Sequence, residues 1–239
     1  MNTRIPLWVR DLIPFFYKYR VTRVLFRPLF HIYSKRIAEN RNHLFLTNGV
    51  RVLQEFDTVM LQNSINYSVF AGTLLGAIRE KGLLKHDLDL DTVMFNRDYS
   101  PKNRVLLEEA GFKLVHAFLV DNGEKAREET YEKDGVSIDI YYIYEDEKFP
   151  TYQCDFFEMK KTDKHNMVAR VRRIEFPVSY EVVRVPFENI QVNAIANARE
   201  WLRCRYGDDY MIPNPGFRDK GDNPHIFVWD GVYASMMMY

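Results

Sequence analysis

A chain of 239 residues can bury one sizeable core with a small appendage, and its 46% hydrophobic content is that of a globular protein. Its 33 Lys and Arg balance 33 Asp and Glu, which excludes the basic surface of a general nucleic-acid binder, so no nucleic-acid partner is expected. No apolar run reaches the length of a membrane span, and Cys154 and Cys204 have neither metal-site spacing nor a disulfide framework, so a reducing, cytoplasmic compartment is expected.

Residues 1–42 read as a helical arm. Up to Arg36 they carry eight Lys or Arg against one acid, Asp11, interleaved with Trp8, Phe15, Phe16, Tyr17, Phe26 and Phe30. Such a basic, aromatic, amphipathic segment either lies in a membrane interface, peripheral on the inner face, or docks on the protein's own core. Charges interrupt its apolar stretches, so it is not a signal peptide. Residues 43–239 then form the main domain. Val52, Leu53, Phe56, Val59 and Met60 recur at helical spacing and predict a helix over 43–63. A short buried strand is expected at 67–71, a helix at 73–80 and a second strand at 89–95. Pro101 starts a helix over 102–110 that Gly111 ends. Strands follow at 112–120, 127–132 and 136–144, with Asp121-Asn122-Gly123 and Lys133-Asp134-Gly135 as turns. Two more strands, at 152–159 and 167–176, precede a last helix at 193–206 stopped by Gly207; the Pro- and Gly-rich tail reads as loop. The sum is an α/β (α+β) domain, a mixed central sheet flanked by helices, without a Rossmann glycine pattern.

The chemistry concentrates between residues 70 and 95. Asp87, Asp89 and Asp91 alternate with Leu88 and Leu90, so on a strand three carboxylates share one face. Like charges so placed repel, and a divalent cation removes the conflict, because Mg²⁺ takes carboxylate oxygens together with substrate phosphates. Asp89 and Asp91 are the first choice of metal ligand; Asp87 either completes the set or orients the turn. Gly72 and Thr73 offer a backbone N–H and a hydroxyl to phosphate, although a plain turn and helix cap uses the same residues. Arg79 and Lys81 lie between that turn and the acidic strand, where cations can neutralise a leaving group or simply end a helix in solvent. Asp139, between Ile138 and Ile140, can face whatever the first acidic strand faces.

These residues carry a family resemblance. GTLLGAIREKG (72–82) followed by DLDLD (87–91) resembles the LicD/fukutin group within the nucleotidyltransferase superfamily, to which DNA polymerase β belongs. VSIDIYYIY (136–144) and REWLRCRYGDDYMIPN (199–214) are similar to that group's later segments in the same order, although His86-Asp87-Leu88-Asp89 stands where many members carry Trp-Asp-Asp-Asp. The resemblance implies a polymerase-β-type sheet and Mg²⁺ or Mn²⁺ as cofactor. It implies transfer of a phospho-alcohol, such as phosphocholine or an alditol phosphate, from a CDP-linked donor to a sugar or lipid-linked glycan in surface-polysaccharide or lipopolysaccharide synthesis. Asp139 becomes the third carboxylate of the site and the base for the acceptor hydroxyl. Nucleotidyl transfer from an NTP and a non-catalytic binding relative are the alternatives. Tyr206, Gly207, Asp208 and Asp209 match the closing segment, with Gly207 expected as a helix C-cap.

Overall fold

A computed structural model describes residues 20–146, 151–159, 168–179, 181–214 and 223–239, with side chains from Ile32 onward. Residues 1–19 of the arm, with Trp8 and Phe15 to Tyr17, lie outside the described residues, and so does the choice between membrane contact and docking on the core. Helix α1 (Arg20–Gln62) runs unbroken through position 42. Its second half buries Phe45, Val52, Leu53, Phe56 and Met60 against the sheet, the apolar stripe expected from their spacing. Among residues 32–42 only Ile37, Arg41 and Asn42 are half-buried.

β1 (Tyr67–Val69) leads through α2 (Ala71–Leu75) and a π-helical turn (Gly76–Glu80) to β2 (Asp89–Phe95). α3 (Pro101–Glu109) begins at the expected proline, capped by the Ser100 hydroxyl, which accepts from the Lys102 N–H at 3.3 Å. β3 (Lys113–Val120), β4 (Ala126–Lys133) and β5 (Val136–Glu145) follow. The β4–β5 hairpin turns at Asp134 and Gly135, both at positive φ (50° and 79°), as a two-residue primed turn requires. Then come β6 (Thr151–Met159), β7 (Val168–Pro177), the hairpin β8 (Val182–Phe187) and β9 (Ile190–Ile195), α4 (Ala198–Tyr206) and β10 (Ile226–Met238).

The large sheet has the order β1-β2-β5-β4-β3-β10-β7-β6, and β6 also pairs with β5. The last six strands thus close on themselves, while β1 and β2 extend outward from β5. Among the described residues only β2 and β5 run parallel; the other pairs are antiparallel. The domain is the mixed sheet with flanking helices that the sequence predicts.

Three expectations need correction. The helix expected over 73–80 starts earlier, at Ala71, and loosens to a π-helical turn at Gly76. A Cβ there would meet the Gly82 carbonyl oxygen at 2.3 Å, so glycine permits that close approach. The helix expected from 193 begins only at Ala198, because Val192, Ala194 and Ile195 are buried as strand β9. The tail is not all loop: β10 inserts between β3 and β7, its pattern masked by a register shift between Val228 and Tyr233 around Gly231 (φ 76°). Among the described residues no helix is long and apolar enough to cross a membrane.

Candidate active site

The pairing of β2, β5, β4 and β3 lays the polar residues out in rows across one face. Asp91 is opposite Asp139, Asp139 opposite Thr130, and Thr130 opposite His116. One step toward the start of β2, Asp89, Ser137 and Glu132 form a second row; one step the other way, Val93, Tyr141 and Glu128 form a third. Side chains two apart on a strand share a face, so Asp89, Asp91, Asp139 and Glu128 belong to one patch. Leu90, Ile138 and Ile140 point the other way into the core.

The turn after β1 closes on this patch from above. Phe70 donates its N–H to the Asp91 carbonyl at 2.9 Å, and Ala71, at φ 39°, turns the chain into α2. The Gly72 N–H donates to Asp91 Oδ2 at 2.9 Å, while Thr73 Oγ1 accepts the Asp91 N–H at 2.8 Å. A Cβ on Gly72 would meet Asp87 Oδ2 at 2.6 Å and Asp91 Oδ2 at 3.1 Å. The missing side chain leaves room for the two carboxylates that lie against it. Beneath the turn, Phe70 packs edge-on to Trp201 of α4, which stacks on Phe176 at 4.5 Å and donates its indole N–H to the Pro177 carbonyl.

Asp87, Asp89, Asp91, Asp139 and Gly72 are thus brought together. Arg79 lies beside them, held through Nε to Glu80 at 2.8 Å and Nη1 to the Tyr210 carbonyl at 3.0 Å. Thr73 is buried with its hydroxyl committed to the Asp91 backbone, so it braces the acidic strand instead of lining the cleft. Lys81 turns away: its Nζ donates to the Ile78 carbonyl at 3.3 Å and its backbone is left-handed (φ 61°). Gly207 ends α4 at φ 94°, donating its N–H to the Arg203 carbonyl at 2.8 Å. Sequence reasoning missed Glu128, Thr130, His116 and Arg41. Of these, only Thr130 was legible in principle, because the Asp134-Gly135 turn fixes it opposite Asp139, whereas His116 meets it through the irregular register of β3 and β4. Arg41, on α1, carries no local signal.

The site is electrostatically unbalanced. Burial, then the charges of Asp89, Asp139 and Asp87, push the Asp91 carboxyl well above its ordinary range. Burial, then Asp89, raises Asp139 to about 7, against which the Thr130 hydroxyl donates to Oδ1 at 2.6 Å. Burial also raises Asp87, to about 6, and Asp89. Burial and the charges of Asp139, Asp91 and Asp89 raise Glu128. The positive charge of Arg41 near Asp89 and Asp139, and of Arg79 near Asp87, does not offset this cluster of hard carboxylate oxygens, and that fits a divalent cation. Among the described residues no three acids or imidazoles are already closed around one point as metal ligands.

Two cavities flank the patch. One, of about 670 Å³, is lined by Gly72, Asp87, Arg79, Arg205, Tyr206 and Tyr210. The other, of about 450 Å³, holds Asp89, Asp139, Glu128 and Arg41. A carboxylate row under a glycine turn, with a cleft to either side, thus sits on a mixed α/β sheet flanked by helices. The chain belongs to the LicD/FKTN/FKRP family, whose nucleotidyltransferase-domain model matches residues 64–197. That span holds Gly72, the three aspartates of the DLDLD run, Glu128 and Asp139. The chain is similar to the ribitol-5-phosphate transferase FKTN of Mus musculus, 23% identical over 184 residues, or 77% of this chain and 37% of that protein. The Homo sapiens protein of the same name is 22% identical over 183 residues, 76% of this chain and 37% of its own. An uncharacterized protein of Rickettsia typhi is 26% identical over 200 residues, 78% of this chain and 64% of that protein. The chain therefore spans 37% of the length of these FKTN relatives.

Proposed function

We propose that this domain transfers a phospho-alcohol group, such as ribitol phosphate or phosphocholine, from a CDP-linked donor to a sugar hydroxyl. The observation that carries the reading is the meeting of Asp87, Asp89, Asp91 and Asp139 beside Gly72, in the seam between a cleft with two arginines and a cavity rich in acids. Asp89 and Asp91 would hold Mg²⁺ or Mn²⁺ with Asp87 or Asp139, and the bound ion supplies charge neutralisation at the phosphate oxygens and at the attacking oxygen. Phosphoryl transfer asks little covalent work of protein groups and much of positioning.

The donor's pyrophosphate belongs in the cleft of Gly72, Arg79 and Arg205, where fixed guanidinium groups stabilise charge on the departing nucleotide. Asp139 is the base. Thr130 holds its Oδ1, which fixes the carboxylate's rotation and leaves Oδ2 to the acceptor. The Thr130 hydroxyl also lies 3.1 Å from His116 Nε2, which links the imidazole to the Asp139 carboxylate through the hydroxyl. The acceptor oxygen bonds to the distal phosphorus, and the bond from that phosphorus to the bridging oxygen breaks. The bridging oxygen leaves with CMP, and the hydroxyl proton passes to Asp139.

Product analysis tests this reading. Purified protein with Mg²⁺ or Mn²⁺ is given CDP-ribitol, CDP-glycerol, CDP-choline, CDP-ethanolamine and the four NTPs. CMP released from one CDP-alcohol is the expected result. Pyrophosphate from an NTP would replace the reading with nucleotidyl transfer.

A further inference from the structure

Beyond Asp139, away from the arginine cleft, the cavity of about 450 Å³ is bounded by β3, β4, β5, α1 and the end of β10. Its volume falls within the range of small-molecule sites, about 300–1,000 Å³. Into it faces Glu128, only 7% exposed. Its charged neighbours are Asp139, Asp91 and Asp89, and among the described residues no hydrogen-bond donor or cation meets its carboxylate. Its carboxylate faces the cavity, where a ligand that brings hydrogen-bond donors can take the place of solvent.

The rest of the wall says which kind. Asp89, Glu132 and Asp139 stand with Glu128 against the single guanidinium of Arg41, which disfavours a phosphate or carboxylate guest. Val115 and Met238 add apolar surface on one side. Acceptors for O–H groups facing an apolar wall match a sugar ring, with hydroxyls at its edge and C–H bonds on its face. The cavity also begins at Asp139, the group placed to take a hydroxyl proton.

We propose that this cavity is the acceptor subsite, shaped for an uncharged sugar ring, and that Glu128 accepts a hydrogen bond from the hydroxyl beside the one that attacks. The assignment rests on the phospho-alcohol transferase reading and adds to it the place where the acceptor ring sits and the residue that orients it. The donor phosphates and the sugar then reach the carboxylate row from two different cavities.

Saturation-transfer NMR on the whole chain with Mg²⁺ tests it. The probes are methyl glycosides of glucose, galactose, mannose and N-acetylglucosamine, with galactose 6-phosphate as the charged comparison. At least one methyl glycoside should take up saturation from the wild-type protein. In Glu128→Gln its affinity should fall about tenfold, the loss expected when a charge-assisted hydrogen bond goes. Ser137→Phe, which fills the cavity from β5, should abolish the signal, and thermal melts check that each variant is folded. No glycoside signal in the wild type, a signal indifferent to Glu128→Gln, or tighter binding of galactose 6-phosphate than of the methyl galactoside would overturn the proposal. Wild-type CMP release is scored separately. If no CDP-alcohol is consumed while sugar binding still depends on Glu128, the donor reading fails and the subsite stands. If CMP is released while sugar binding ignores Glu128, the subsite alone fails.

Discussion

At Gly72 the demands of backbone and chemistry coincide. Its N–H binds Asp91, and its missing side chain leaves room for Asp87 and Asp91 together. Gly72→Ala should therefore leave the fold intact, because the clash falls on carboxylate ends rather than on backbone. It should lower CMP release by about 100-fold, since displacing catalytic groups by about 1 Å costs that much. Turnover within threefold of wild type, with an unchanged melting temperature, would show that this close approach is idle. The aspartates were legible in the sequence because three acids spaced by two along an apolar strand have no folding rationale. Glu128 was not, because Glu128-Glu129 looks like an ordinary solvated pair. In the structure the two part: Glu129 accepts from the Tyr131 and Tyr142 hydroxyls and pairs with Arg127, while Glu128 faces the carboxylates.

Among the elements, the helix-to-strand connection does most to hold the site. The Asn42 side chain donates to the Lys85 and Asp87 carbonyls at 2.8 and 3.0 Å, tying α1 to the loop that delivers the acidic strand. Trp201 supports the glycine turn from below through Phe70. Trp201→Ala should cost about 3–5 kcal/mol, the usual penalty for emptying a buried aromatic site. Chemical denaturation measures it, and a loss below about 1 kcal/mol would show that α4 is not a prop of the turn. The sequence placed β2 and most strands within a residue or two, because period-two burial and the Pro101, Asp134 and Gly135 signals act locally. It failed at β8, β9 and β10. Residues 182–192 of the hairpin carry no strand signal strong enough to stand out, and only its last three residues read as the start of a helix. β10 owes its place to partners over 50 residues away, Ile174 and Arg173 among them. No local periodicity reports such pairing.

For the molecule as a whole, the uncompensated carboxylates tie stability to pH and metal. Asp139 titrates at about 7 when folded, raised mainly by burial, against about 3.9 for an unfolded aspartate. Between those values the folded chain holds more protons than the unfolded one, so this contribution to stability falls as pH rises through 4 to 7. Asp87, at about 6, acts in the same direction. In chelator, the melting temperature should therefore be lower at pH 7.5 than at pH 6. Saturating Mg²⁺ should remove or reverse that order, because a cation binding the folded state both stabilises it and favours ionised carboxylates. The same pH slope with and without Mg²⁺ would mean that the row does not bind the ion.

The account turns on whether the aspartate row is the metal-dependent centre of phospho-alcohol transfer. The direct measurement is CMP release from the CDP-alcohol that the wild type accepts, compared in Mg²⁺, in chelator and in Asp91→Asn. The prediction is turnover in Mg²⁺ that chelator abolishes and readdition of metal restores. Asp91→Asn, folded by its melting curve, should retain less than about a hundredth of the rate, the scale on which removing a preorganised charge partner acts. Turnover that survives chelation, or an Asp91→Asn variant above about a tenth of wild type, a deficit of under 1.4 kcal/mol, would contradict it.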